Sequence, residues 1–247
     1  MTTLKKLANY DPSTRVEEDS LGQQSVPASA LYGIQTQRAA QNFDITGTPI
    51  SHFPELVRAL AMVKYAAAKA NHQLELLSDK KANAITDACI ELIEGDHHEY
   101  FIVDLIQGGA GTSTNMNANE VIANMGLIKL GYKYGEYHHL HPNNDVNCSQ
   151  STNDVYPSAA RIAIIFSARA LKQAVSQLQH SLAAKGQEFS EILKMGRTQM
   201  QDAVPMTLGQ EFNAFASDLG GEPEHIEQTC QQLCAVNLGG TAIGTGI

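Results

Sequence analysis

Residues 159–193 read AARIAIIFSARALKQAVSQLQHSLAAKGQEFSEIL, a run without proline. Ile164, Ala168, Leu171, Val175, Leu178 and Leu182 recur at 4-3-4-3-4 spacing. That spacing predicts one long helix with an apolar seam packed lengthwise on other helices. Ser151-Thr152-Asn153-Asp154-Val155-Tyr156-Pro157 precedes it and supplies a cap. After a loop, KMGRTQMQDAVP at 194–205, a second helix carries Phe212, Phe215, Leu219, Ile226 and Leu233 on one stripe. Gly220-Gly221-Glu222-Pro223 interrupts that stripe and predicts a kink. Two antiparallel helices cannot bury all these positions alone, so this part of the chain needs partners from further sequence or from other subunits.

Toward the N-terminus the texture differs. Pro12, Gly22, Pro27, Gly33, Gly47, Pro49 and Pro54 break residues 1–54 into irregular chain. Residues 55–77 are helical, with Leu56, Leu60, Val63, Ala67, Ala70 and Leu74 on the buried stripe. Ser78-Asp79 opens a further helix over 80–94, stopped at Gly95. A Gly-rich loop at 108–111 feeds another helix, with Asn115, Asn117 and Asn119 available to cap its start and Gly131 to end it. Residues 135–149 are turn-rich, and strand signals are weak throughout. The expected fold is therefore mainly α: a small helical and irregular N-terminal domain, residues 1–149, then long bundle helices from residue 150 to 247.

The net charge is −9, with Lys and Arg scattered, which argues against nucleic acid and anionic membrane as partners. The N-terminal stretch lacks an apolar leader core, and no run approaches the length of a membrane span. Cys89, Cys148, Cys230 and Cys234 form no CxxC pair and read as free thiols of a cytoplasmic protein.

Three loops share one composition: Gly111–Asn115, Ser149–Asp154 and Gly196–Gln201. Each is rich in hydroxyl and amide groups. The first two open a helix and the third leads into one a few residues on. Free N–H groups at a helix start, with such side chains beside them, suit a carboxylate or phosphate without any positive net charge. The same residues are also ordinary N-caps. Gly108–Thr112 lacks the spacing and lysine of a phosphate loop, and the terminal GGTAIGTG follows no strand, so neither is a nucleotide fingerprint. His138, His139 and His141 have no CxxC or HExxH partner and read as a surface loop rather than a metal site. No metal and no organic cofactor is expected.

Five stretches carry a resemblance: VPASALYGIQTQRA (26–39), FIVDLIQGGAGTSTNMNANEVIAN (101–124), HPNNDVNCSQSTNDVYPSA (141–159), KMGRTQMQDAVPMTLGQEF (194–212) and VNLGGTAIGTGI (236–247). In this order and spacing they resemble the aspartase/fumarase superfamily. The resemblance implies reversible anti-elimination across a four-carbon dicarboxylate: a base removes a proton beside one carboxylate, an aci-carboxylate forms, and ammonia, water or a larger amine leaves. Donors must be preorganised where that charge develops. Carried over by motif, Thr112, Ser151 and Thr152 look like donors to the carboxylate that becomes the aci-form. Asn153 looks like a ligand of the leaving group, and Thr198 and Gln199 look like ligands at the other end of the substrate. Gln199 stands where fumarases, and some members of the ammonia-releasing branch, have a histidine, and an amide orients rather than transfers protons. YGIQTQRA, QSTND and Gln199 favour the branch that releases ammonia from L-aspartate. His141, Asn143 and Asn144 resemble a second anion loop of the class II fumarate hydratases, which keeps that branch as the alternative.

The superfamily's GSSxMPxKxNP loop, with its catalytic serine, does not occur. The resemblance thus implies an N-terminal half, inactive alone, of a protein that assembles as a homotetramer. A non-catalytic dicarboxylate-binding or scaffold fragment is the remaining alternative.

Overall fold

The computed structural model describes residues 13–247; the turn expected at Pro12, and the stretch before it, lie outside the described residues. Contacts divide the chain into two units. One extends to Ala163 and takes in Val236–Ile247; the other is Ile164–Ala235.

The first unit is built around one helix. Helix α4, Thr112–Lys129, is buried without a break from Thr114 to Leu127. Its neighbours are α2, Pro54–Gln73, and α3, Asp79–Glu94. Leu60, Ile85, Leu92, Phe101, Ile122, Leu127 and Leu140 form the apolar centre between them. Gly126 lets α4 approach closely, because a Cβ there would meet the Leu140 side chain and lie 3.5 Å from the Ala84 carbonyl oxygen. The helix stops fall where the glycines predict: Gly95 ends α3 at φ 110°, and Gly131, at φ 85°, follows α4.

Two expectations need correction here. The stripe on α2 is buried at Leu56, Leu60 and Val63, but Leu74 is 69% exposed and the covered face widens to Val57, Ala59, Ala61 and Lys64. Asn115, Asn117 and Asn119 do not cap α4; they lie inside it, fully or almost fully buried. A helix enclosed on all sides must find partners for its polar side chains within the fold, and most of them tie down surrounding loops, whereas Asn119 meets only Met116 Sδ of its own helix at 3.5 Å. Asn117 donates to the Tyr100 carbonyl (3.0 Å). Asn124 donates to the Leu31 carbonyl (2.7 Å) and accepts from the Gly135 N–H (2.8 Å).

The stretch expected to be wholly irregular holds a hairpin and a short helix. Strands β1, Thr14–Asp19, and β2, Gly22–Pro27, pair antiparallel from Thr14↔Pro27 to Asp19↔Gly22. Alternation is a weak signal there because Val26 is buried while Val16 is exposed. The Arg15 guanidinium organises the loop that follows. It donates to the carbonyls of Pro27, Ala30 and Tyr32 at 2.9, 2.7 and 2.6 Å. Helix α1, Ile34–Asn42, has no cap of its own. Glu120 of α4 accepts the N–H groups of Gly33, Gln35 and Thr36 at 2.9, 2.9 and 3.0 Å, and Glu17 accepts that of Ile34 at 2.8 Å. Two carboxylates from elsewhere in the chain thus meet the positive end of α1. Burial raises the Glu120 carboxyl, while hydrogen bonds from Thr36 and Gln35 hold it down.

In the second unit, α5, Thr152–Glu188, supplies its C-terminal length. The loop expected at 194–205 is a hairpin, β3, Leu193–Thr198, paired with β4, Gln201–Thr207. Its turn is two non-glycine residues, Gln199 and Met200, at φ 51° and 63°, so it lacks the Asn-Gly or Asp-Gly signature that reveals such turns in sequence. Helix α6, Leu208–Leu219, opens with a capping box between Thr207 and Gln210. Helix α7, Glu222–Leu233, follows the break at Gly220–Gly221, as the interrupted stripe predicts. Lys172 of α5 pairs with Glu227 of α7 (2.7 Å). Ile164, Leu171 and Leu178 of the α5 seam remain 52–55% exposed. Among the described residues no helix is long and apolar enough to cross a membrane.

Two expected outcomes concern stability. Glu120→Ala leaves three helix N–H groups without an acceptor and should cost ~3 kcal/mol or more, read as a lower urea midpoint; an unchanged midpoint would remove Glu120 from the fold's supports. The second concerns Lys64, which is fully buried on α2. Burial pulls its ammonium from 10.5 down to about 7, against the opposing pull of Cys89 and Asp154. Between those values the unfolded chain holds a proton that the folded chain has released, so stability rises with pH from about 7 to 10.5 and is lowest below 7. Urea midpoints from pH 6 to 9 should climb more steeply in the parent than in Lys64→Met. Parallel profiles would rule this linkage out.

Candidate active site

Helix α5 begins with a reciprocal cap. Ser151 Oγ accepts the Asn153 N–H (3.2 Å), and Asp154 Oδ1 accepts the Ser151 N–H (3.1 Å). The capping reading of this loop therefore holds, and the question is what it leaves unused. The Ser151 hydroxyl accepts here, so its hydrogen is not spent on the cap.

Pro157 sits inside the first turns of α5 and has no N–H for the carbonyl four residues back, that of Asn153. That carbonyl accepts instead from Asn237 Nδ2 at 2.9 Å. The C-terminal glycine-rich segment continues the same contact. Asp154 Oδ2 accepts the N–H groups of Gly239 and Thr241 (3.1 and 2.8 Å), and Asn153 Nδ2 donates to the Ala242 carbonyl (2.8 Å). The segment that matched no nucleotide fingerprint is thus docked on the STND loop. With its Nδ2 engaged, Asn153 keeps Oδ1 as an acceptor.

The start of α4 meets the same place. Gly111 is left-handed at φ 92°, and a Cβ there would collide with the Tyr156 ring, so only glycine fits. Thr112 donates to the Gly109 carbonyl (2.7 Å); serving a ligand requires that rotor to turn. Asn115 Nδ2 donates to Thr152 Oγ1 and to Asn147 Oδ1, both at 3.1 Å. Asn147 Oδ1 also accepts from Lys64 Nζ (2.7 Å), which donates to Gln150 Oε1 (3.0 Å) as well. Asn147 Nδ2 donates to the Gln150 carbonyl (3.1 Å), bracing the backbone just before Ser151.

The chain thus brings Thr152 against the start of α4, within one hydrogen bond of Asn115, and joins Asn153 to the C-terminal segment. Thr198 and Gln199 belong to the other unit, where Thr198 pairs with Gln201 and Gln199 forms the strained hairpin turn. They open no helix directly.

The second anion loop is largely satisfied internally. His141 Nδ1 accepts the N–H groups of Asn143 and Asn144 (3.0 and 3.2 Å), so the ring is a cap and those two donors are occupied. Asp145 pairs with Lys81 at 2.7 Å. His141 and Asn143 line an open cleft of about 960 Å³ with Arg38, Ser113 and Tyr137; Thr112, Ser151, Thr152 and Asn153 do not line it. His139 stacks on Tyr132 with ring centroids 3.6 Å apart. Among the described residues no group of three or more His, Cys, Asp or Glu could hold a metal ion.

The sequence placed Asn115 and Asp154 in two of the hydroxyl- and amide-rich loops without marking either as a site residue, and it gave Lys64 and Asn147 no role. Lys64 sits in an apolar helical stripe, Asn115 and Asn147 resemble caps or turn residues, and Asp154 resembles a first-turn acid. Only the lysine, a charge on a face otherwise made of Ala, Leu and Val, carries a local signal that could have found it.

A family model described as lyase matches residues 22–247. Aspartate ammonia-lyase of Pseudomonas fluorescens is 60% identical over 236 residues, covering 95% of this chain and 49% of that protein. The crystal structure of fumarate lyase:delta crystallin from Brucella melitensis in native form superposes with a TM-score of 0.89 at 53% identity, over 92% of this chain and 53% of that one. Recombinant class II fumarase from Schistosoma mansoni gives a TM-score of 0.85 at 37% identity, over 95% and 49%. The chain spans about half the length of the curated relatives it matches. On the match across residues 22–247, the chain belongs to this lyase family, the aspartase/fumarase superfamily.

Proposed function

We propose that the chain is part of an aspartate ammonia-lyase, which converts L-aspartate reversibly to fumarate and ammonia through an aci-carboxylate. The observation that carries this reading is the 60% identity to an aspartate ammonia-lyase against 37% to a class II fumarase, each over 95% of this chain. Ser151 and Thr152, with Thr112 once its rotor turns, donate to the carboxylate that gains charge. Support for the first two comes from their oxygens, each of which accepts a hydrogen bond within the chain, leaving the hydroxyl hydrogen for a ligand. Asn153 Oδ1 accepts from the leaving amine, and Thr198 with Gln199 holds the far carboxylate. No residue of the chain is assigned as base, and no cofactor is assigned.

In this reading residues 1–149 are the first lyase domain and 150–247 the start of the helical bundle. The half-exposed Ile164, Leu171 and Leu178 support burial against further helices in a homotetramer. Four free thiols support a cytoplasmic setting.

A chain holding donors without the base should not turn over, since groups that act as a unit lose most of the rate when one is missing. Fumarate absorbance should stay flat with L-aspartate or L-malate when the purified chain is alone. It should rise with L-aspartate when the chain is mixed with a separately made C-terminal half of the Pseudomonas relative, and Ser151→Ala in that mixture should lower the rate about 100-fold. Turnover of malate alone would move the activity to a fumarate hydratase. Turnover of aspartate by the unmixed chain would overturn the assignment of the missing base.

A further inference from the structure

A fully buried lysine sits at the head of a hydrogen-bond chain that ends on Thr152. Lys64 Nζ is a donor in both of its contacts, to Asn147 Oδ1 and to Gln150 Oε1. This holds in either charge state, because ammonium and amine both carry at least two hydrogens. Asn147 must therefore turn its oxygen toward Lys64 and its Nδ2 toward the Gln150 carbonyl. The remaining lone pair of Asn147 Oδ1 then demands a donor from Asn115, whose Nδ2 lies 3.1 Å away. The second hydrogen of the same Nδ2 goes to Thr152 Oγ1. Each amide orientation is thus dictated by the one before it.

The alternative orientation has a specific defect. Reversing Asn115 would set its Oδ1 against Asn147 Oδ1, two acceptors at hydrogen-bond distance, and would draw the Thr152 hydrogen inward. In the observed orientation Asn115 Oδ1 is buried with no partner; the reversed amide would give that oxygen the Thr152 hydrogen but would take Nδ2 away from both acceptors it now reaches. The chain carries that cost because Lys64 leaves Asn147 no other way to face.

We propose that Lys64 is a positioning residue: acting through Asn147 and Asn115, it holds the Thr152 hydroxyl as an acceptor inside the fold, so that its hydrogen is presented to a carboxylate ligand. This rests on the dicarboxylate reading of the site. It adds a residue on α2 that touches none of the proposed ligand donors, and it makes the direction of one hydroxyl the quantity under control.

The test uses the whole 247-residue chain. In ligand-free ¹⁵N spectra both Asn115 side-chain amide protons should be slow to exchange, with a cross-relaxation contact to Thr152. Lys64→Met should abolish both features. Asn147→Leu breaks the next link while keeping Lys64, which loses that acceptor and retains Gln150 Oε1, and serves if Lys64→Met does not fold. Lys64→Arg, which is also a donor only, should preserve them. Succinate affinity is then measured for the chain alone and for the complemented mixture. Thr152→Val and Lys64→Met should each weaken binding on the order of tenfold, and the double variant should be no weaker than either single one. Losses that multiply, or Asn115 protons unaffected by Lys64→Met and Asn147→Leu, would overturn the role of Lys64 and leave the dicarboxylate reading standing. Intact Asn115 features with no succinate binding in either preparation would overturn the dicarboxylate reading, while the spectra alone decide the direction of the hydroxyl.

Discussion

Enclosing a helix on every side leaves its polar side chains only the fold itself for partners, and the first unit is organised by how α4 meets that demand. A surface helix can leave Asn and Glu to water. Helix α4 cannot, because Thr114–Leu127 is buried without interruption. Its polar groups reach outward in three directions. Asn117 ties the turn at Tyr100, Asn124 ties Leu31 and Gly135, and Glu120 replaces the missing cap of α1. Segments that look like featureless loops are thereby fixed to the core.

The candidate site uses the same logic at the N-terminal end of α4. Asn115 is as buried as the others, but its partners are Thr152 and Asn147, which belong to the loop that opens α5. Lys64 approaches the same Asn147 from α2. Three segments distant in sequence therefore share one polar cluster beneath Ser151 and Thr152. On its other side, Asp154 and the carbonyl freed by Pro157 gather the C-terminal segment. The loop is held from below by amides and from above by backbone N–H groups. A carboxylate-binding loop needs such support if its hydroxyls are to face a developing charge without reorganising.

Two devices seen in sequence prove to have a structural use before any functional one. The hydroxyls and acids of the Ser151–Asp154 loop cap α5, and His141 caps the turn at Asn143 and Asn144. Capping and ligand binding are not alternatives at Ser151, because a hydroxyl oxygen that accepts from the backbone still has a hydrogen to give. At the His141 turn the donors themselves are consumed, and the same composition leaves less for an anion. The distinction is between spending acceptors and spending donors, and composition does not reveal it.

The sequence by itself determined the long helices, the stops at Gly95 and Gly131 and the break at Gly220–Gly221, because periodicity, glycine and proline act over a few residues and need no distant partner, although α2 and α5 end a few residues earlier than their patterns suggest. It also determined which loops carry hydroxyls and amides, through motifs long enough to be read whole. Tertiary structure alone decided the rest. Both hairpins depend on pairing and on left-handed turn residues with no glycine signature at Gln199–Met200. The cap of α1 comes from Glu120, 84 residues from the Thr36 N–H that it accepts. The three asparagines of α4 read as caps because local rules assign them to helix ends, whereas all three are buried inside the helix and Asn115 and Asn117 tie it to other segments. The partners of Thr152 follow from which side of each amide faces its neighbour, and only the packed chain, with Lys64 at its head, sets that direction.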